Sequence, residues 1–254
     1  MTKEFIGECI GTLVLVFIGL SSVAVSVSYG AYGLFECGVI WGLAVVMGIY
    51  ASRSLSAAHL NPAVTIAMAL TKRFEIKKVP VYILAQFIGA FGAAALVYLI
   101  FNNSIMAFEQ ANTIVRGDAN SIKSAMIFGE FFPNPGFAQA VHVNMCSALI
   151  TEIIGTAFLL LMIIVLTEQN KPDDNLTPIY IGLVVTILVC LIAPISQCCL
   201  NPARDLAPRI FSFFAGWGGA VFPGSGYEVL VVYVAGPIVG ALLGAGISTL
   251  YKKA

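Results

Sequence analysis

The chain has 254 residues, a formal net charge of zero, 59% hydrophobic and only 10% charged residues, and a mean hydropathy of +0.94. No soluble domain of this size could cover so much apolar surface. An integral membrane protein remains, and the charge balance gives no footing for nucleic acid or for an acidic substrate.

Apolar runs of about 20 residues, enough to cross a hydrocarbon core of about 30 Å, predict six spans near 5–27, 34–54, 79–101, 144–167, 177–196 and 228–251. The first run follows Lys3, as a secretory signal would, but it continues past about 20 residues without a small-residue cleavage site, so a retained span is expected. Two shorter stretches, 61–70 and 201–214, cannot cross. Each opens on Asn-Pro-Ala, at Asn61-Pro62-Ala63 and Asn201-Pro202-Ala203. Proline suits the first turn of a helix, where its missing N–H is not needed. These stretches read as re-entrant half-helices, tolerated at membrane depth only when buried in protein or lining a wet cavity. Between the third and fourth spans, a loop over about 102–143, rich in Asn, Ser, Pro and Gly, is expected to pack over an extracellular vestibule. Within it, Asn102-Asn103-Ser104 matches the glycosylation pattern.

If the spans alternate, Lys3, the group Lys72, Arg73, Lys77 and Lys78, then Lys171, Lys252 and Lys253 share one side. That side is expected to be cytoplasmic, with both termini inside a plasma membrane. Arg116 and Lys123 fall on the opposite side.

The chain repeats itself. Glu8-Cys-Ile-Gly-Thr12 answers Glu152-Ile-Ile-Gly-Thr156, Trp41-Gly-Leu answers Ile181-Gly-Leu, and Gly89-Ala90 answers Gly240-Ala241, at an offset between about 140 and 151 residues. Three spans per half force the second copy to enter with opposite orientation, and inverted repeats place their shared site near the midplane. The expectation is an all-α membrane protein: one channel domain over 1–254, its halves at about 1–101 and 144–254 joined by the extracellular loop at about 102–143.

Two inverted half-helices would meet by their N-termini, each with partial positive charge and unsatisfied N–H groups. Cations, including protons carried through water, meet a barrier there. Asn61 and Asn201 can turn amide donors into the lumen, and the non-helical stretches 56–60 and 196–200 leave carbonyls free along one wall. Apolar faces of the second and fifth spans would form the other wall. Small neutral polyols match such a surface better than ions do.

The ten residues from Ser56 to Thr65, Ser-Ala-Ala-His-Leu-Asn-Pro-Ala-Val-Thr, together with Asn201-Pro-Ala-Arg-Asp205, resemble the major intrinsic protein family of aquaporins, and the likeness covers essentially the whole chain. It implies an aquaporin-like passive channel of six spans and two half-helices, assembled as a homotetramer with one pore per subunit and no cofactor. Asp205, with Arg209 four residues on, resembles the glycerol facilitators. The family's narrow filter, carried over by spacing, falls on Trp41, Val189, Cys198 and Arg204. Val189 stands where water channels resemble one another in having histidine, so a wider, less polar constriction is implied. Cys198 departs from the aromatic ring usual in glycerol facilitators, and Tyr233-Val234 replaces the proline-leucine pair expected of them.

By the same resemblance, Glu8 and Glu152 are expected to accept N–H groups from the re-entrant segments. His59 is expected to be a hydrogen-bonded structural residue near the cytoplasmic mouth, and His142 ordinary loop. Gly89, Gly92, Gly240 and Gly244 would allow close helix crossing. The six cysteines are read as apolar fillers without metal-ligand spacing. The function expected is facilitated diffusion of glycerol and related small solutes, with water. The alternatives are a water-selective channel and, further off, an ion-coupled transporter, which would need a carboxylate beyond Glu8 and Glu152. A membrane enzyme lacks any catalytic constellation in this sequence.

Overall fold

The computed structural model describes residues 3–140, 142–169 and 174–251. Lys171, Lys252 and Lys253 therefore lie outside the described residues. Within them the chain is all helical, and six helices are long and apolar enough to cross a membrane.

The first half comprises α1 (Lys3–Tyr29), α2 (Leu34–Ser52), the short α3 (Pro62–Leu70) and α4 (Val79–Ala111). After a loop with one helical turn, α5 (Ile122–Ala125), the second half follows as α6 (Met145–Gln169), α7 (Thr177–Ser196) and the short α8 (Pro202–Ser212). The last span begins as α9 (Tyr227–Leu230), passes through a π-helical turn and ends as α10 (Gly236–Tyr251). That turn has a local cause. Pro237 cannot donate to the carbonyl four residues back, and this carbonyl, on Tyr233, instead faces the Cys199 thiol at 3.7 Å.

The main departure from the expected spans is α4. It continues to Ala111, ten residues past the expected end at 101, and so carries Asn102-Asn103-Ser104 inside a helix rather than on a loop. Polar contacts support the extension: Tyr29 Oη and Ser104 Oγ lie 2.6 Å apart, and Glu109 near its end pairs with Arg116 at 2.7 Å. Arg116 in turn lies 3.9 Å over the Trp217 ring.

Packing follows the repeat. α1 crosses α4, α6 crosses α10, and α2 packs on α7. In α1 the buried positions recur in pairs, Gly7 and Glu8, Gly11 and Thr12, Leu15 and Val16, Gly19 and Leu20, a stripe set by the helical period. Backbones touch where glycines allow it. A Cβ on Gly89 would sit 2.3 Å from the Cys9 carbonyl oxygen, one on Gly240 2.3 Å from that of Ile153, and one on Gly244 2.2 Å from that of Ala157. Gly92 is different, because a Cβ there would make only an ordinary 3.6 Å contact with Leu13; it is not needed for the crossing. The outer surface is apolar, with Leu99, Phe214 and Leu191 at 78%, 77% and 67% exposure, a face suited to lipid and not to water.

The two short helices exchange partners. α3 packs on α10 as well as α4, and α8 packs on α4. Each half thus holds the other's short helix, which brings Asn61 and Asn201 together.

Candidate functional site

Both short helices begin in the same way. Asn61 is extended, and its Oδ1 accepts from Ala63 N at 2.8 Å. Asn201 does likewise for Ala203 N at 3.0 Å and Arg204 N at 3.3 Å. These caps satisfy N–H groups that a helix leaves free, with proline occupying the position that needs no donor. The amide nitrogens then cross between halves: Asn61 Nδ2 donates to Leu200 O and Asn201 Nδ2 to Leu60 O, each at 2.8 Å. One N–H of each amide is therefore spent on the opposite half, leaving one per side chain for the lumen rather than two.

The segments before the caps are strained in matching places. Ala58, Leu60, Gln197, Cys198 and Leu200 have φ between 51° and 62°, a left-handed conformation that costs about 1–2 kcal/mol for a residue with a Cβ. Two buried carboxylates offset that cost. Glu8 accepts from His59 N at 3.0 Å, Leu60 N at 2.8 Å, Ser56 Oγ at 2.8 Å and Gln86 Nε2 at 2.8 Å. Glu152 accepts from Cys199 N and Leu200 N at 2.9 Å and from Ser196 Oγ at 2.6 Å. The carbonyls of Ala58, His59, Cys198 and Cys199 accept no hydrogen bond from another described protein group.

These segments line a cavity of about 390 Å³ that contains Asn61 and Asn201 and extends to Arg53 and Arg73. A second cavity of about 400 Å³ lies under the loop that carries Met126, Glu130 and Asn134. Three side chains line both: Trp41, Val189 and Arg204. They form the wall between the two spaces. Cys198 lines only the first.

The wall has a definite construction. Arg204 Cζ stands 4.1 Å over the Trp41 ring, a desolvated cation–π contact of about 2 kcal/mol. The ring also rests where Gly19 has no side chain, since a Cβ there would come within 2.2 Å of Trp41 Cζ3. Arg204 also forms an ion pair with Glu130, a residue 1% exposed.

Asp205 is fully buried and lines neither cavity. Its carboxylate accepts from Arg209 at 2.7 Å and 3.1 Å and from Glu130 N at 2.7 Å, while Arg209 donates to the carbonyls of Glu130 and Val221. The pair ties the loop to α8. Tyr233 is also buried and lines neither cavity. His59 lines the first cavity with its Nδ1 3.2 Å from Thr65 Oγ1. The single hydrogen of that hydroxyl is directed at Asn61 O, 2.9 Å away, so Nδ1 is the donor and Nε2 the acceptor. His142 is exposed on the loop.

Glu130 is the site residue that sequence reasoning missed. Its only signal was an acid in the expected loop, shared with Glu109 and Asp118, and position along the chain did not separate the three.

A family model described as major intrinsic protein matches residues 1–248. The chain is 40% identical to a glycerol uptake facilitator protein of Pseudomonas aeruginosa, over 96% of this chain and 88% of that one. It is 41% identical to a glycerol uptake facilitator protein of Escherichia coli K12, over 95% and 85%. Among solved structures, the aquaglyceroporin from Plasmodium falciparum superposes with a TM-score of 0.81 at 31% identity, covering 99% of each chain.

Proposed function

Since the chain belongs to the major intrinsic protein family, we propose that it is a passive transmembrane channel for glycerol and related small neutral solutes. Water passes alongside them, while protons and ions are excluded. The observation that carries this reading is the wall of Trp41, Val189 and Arg204 between the two cavities. An indole face receives a carbon backbone, a guanidinium donates to hydroxyls, and valine leaves the remaining side apolar. A solute with carbon on one side and oxygen on the other fits it.

Beyond the wall, the strained segments offer free carbonyls as acceptors, and Asn61 and Asn201 offer one amide donor each. A file of hydroxyls can exchange partners along this line without leaving hydrogen bonds unmade. The opposed helix N-termini oppose cations. Asp205 acts through the loop and not on the solute. Glu8 and Glu152 are structural, as is His59.

The two halves, about 1–101 and 144–254, form an inverted repeat, and four copies assemble with one pore each in a plasma membrane, both termini cytoplasmic. A water-selective channel draws its support from Tyr233, yet that residue touches neither cavity. The test is stopped-flow light scattering on proteoliposomes under an inward glycerol gradient and, separately, a water gradient. Re-swelling with glycerol well above that of empty liposomes is expected; fast water flow without glycerol entry would assign the chain to the water channels.

A further inference from the structure

The Glu130 carboxylate is used on one side only. Its first oxygen meets the Arg204 guanidinium, whereas its second, Oε2, is buried and accepts no hydrogen bond from any described protein group. An ionised carboxylate has acceptor sites on both oxygens, and a buried one left unmatched is costly. The residue is also held in place. Its N–H goes to Asp205 at 2.7 Å, its carbonyl accepts from Arg209, and the next residue's N–H goes to Gln197 Oε1 at 2.8 Å. Glu130 lines the cavity under the loop together with Trp41 and Arg204. A rigidly mounted acceptor thus stands directly beside the donor that faces the solute path.

We propose that Glu130 is a solute-contacting residue that forms, with Arg204, an adjacent acceptor and donor selecting solutes with hydroxyls on neighbouring carbons. This rests on the reading of the chain as a polyol channel. One hydroxyl accepts from Arg204 while its neighbour donates to Glu130 Oε2, and the carbon side lies on the Trp41 face. The carboxylate and guanidinium touch, so the two contact points are close together; hydroxyls separated by a further carbon are set too far apart to use both well. The pairing also offsets the arginine charge at the wall. A neutral solute then meets a dipole there instead of a net cation.

The experiment compares entry of 1,2-propanediol and 1,3-propanediol into proteoliposomes, with glycerol and water run in parallel. The isomers have the same mass and composition, and entry into empty liposomes is subtracted for each. Wild type is expected to pass the 1,2 isomer at least about threefold faster, the scale of one net hydrogen bond. In Glu130→Gln the isomer ratio should fall to about 1; Glu130→Ala is read in the same way. A wild type that passes glycerol but both isomers equally overturns the assignment before any variant is made. So does a preference that survives in the variants, or a variant that loses water and all solutes together. Wild type that passes water but no glycerol fails the polyol reading on which this rests, a different result from either.

Discussion

The Trp41 ring meets both the Arg204 guanidinium, 4.1 Å away, and the bare backbone of Gly19, where an added Cβ would come within 2.2 Å of the ring. The position of the indole is therefore set by an absent side chain. Gly19→Val should push the ring toward the path and lower glycerol flux by about tenfold or more, the effect of roughly 1.4 kcal/mol on the barrier. Trp41→Ala should act oppositely, letting larger polyols gain on glycerol. Stopped-flow rates for glycerol and a five-carbon polyol check both, and unchanged ratios would remove Trp41 from the wall.

Glu8 and Glu152 hold matching segments, but Glu8 receives a fourth donor, from Gln86, where the hydrogen bonds to Glu152 come from Ser196, Cys199 and Leu200. Replacing either with glutamine sets an amide NH2 against donors, at a cost of about 1–3 kcal/mol for each one left unmatched. Both variants should unfold at lower temperature in detergent, Glu8→Gln more so. Equal midpoints for wild type and variants would contradict the bracing role.

Cys198 and Cys199 are neighbours with different surroundings. The Cys199 thiol contacts the carbonyls of Asn201 and Tyr233, whereas Cys198 lines the cavity and has no such partner among the described residues. Mercurials should block flux, and Cys198→Ser should abolish the block while Cys199→Ser preserves it. A block that persists without Cys198 would move the inhibitory thiol elsewhere.

Asp174 lies just before α7 and accepts from the Thr177 hydroxyl at 2.8 Å and its N–H at 2.9 Å. The Thr177 side chain, with help from Leu176 N–H, holds its carboxyl below the ordinary value of 3.8. A lowered pKa stabilises the folded state above the unfolded value and ceases to do so as pH falls through the lowered one. Asp174→Asn should therefore lower the thermal midpoint slightly at neutral pH, and the difference should begin to shrink below about pH 4 and be gone once the lowered folded-state value is passed. A difference that grows in acid would reverse the sign.

Much of this architecture was legible because membrane spans are read by length and apolarity alone. The doubled Asn-Pro-Ala marked both half-helix starts to the residue. The extension of α4 was not legible, because its last ten residues have loop-like polarity and are held helical by partners outside the helix, Tyr29 and Arg116. Gly92 shows the converse: a glycine at helical spacing from Gly89 that meets nothing closer than 3.6 Å. Glu130 was invisible for a related reason. A loop acid acquires its place only when Asp205, Arg209 and Gln197 fix the backbone around it.

The reciprocal bonds from Asn61 to Leu200 and from Asn201 to Leu60 also bear on how the molecule is made. When the ribosome has delivered only the first half, the amide of Asn61 has no carbonyl to meet, and α3 lacks α10, its neighbour in the finished fold. That neighbour arrives only with the final span. A nascent chain thus cannot join its two halves at the centre until residues 200 and 201 have been made.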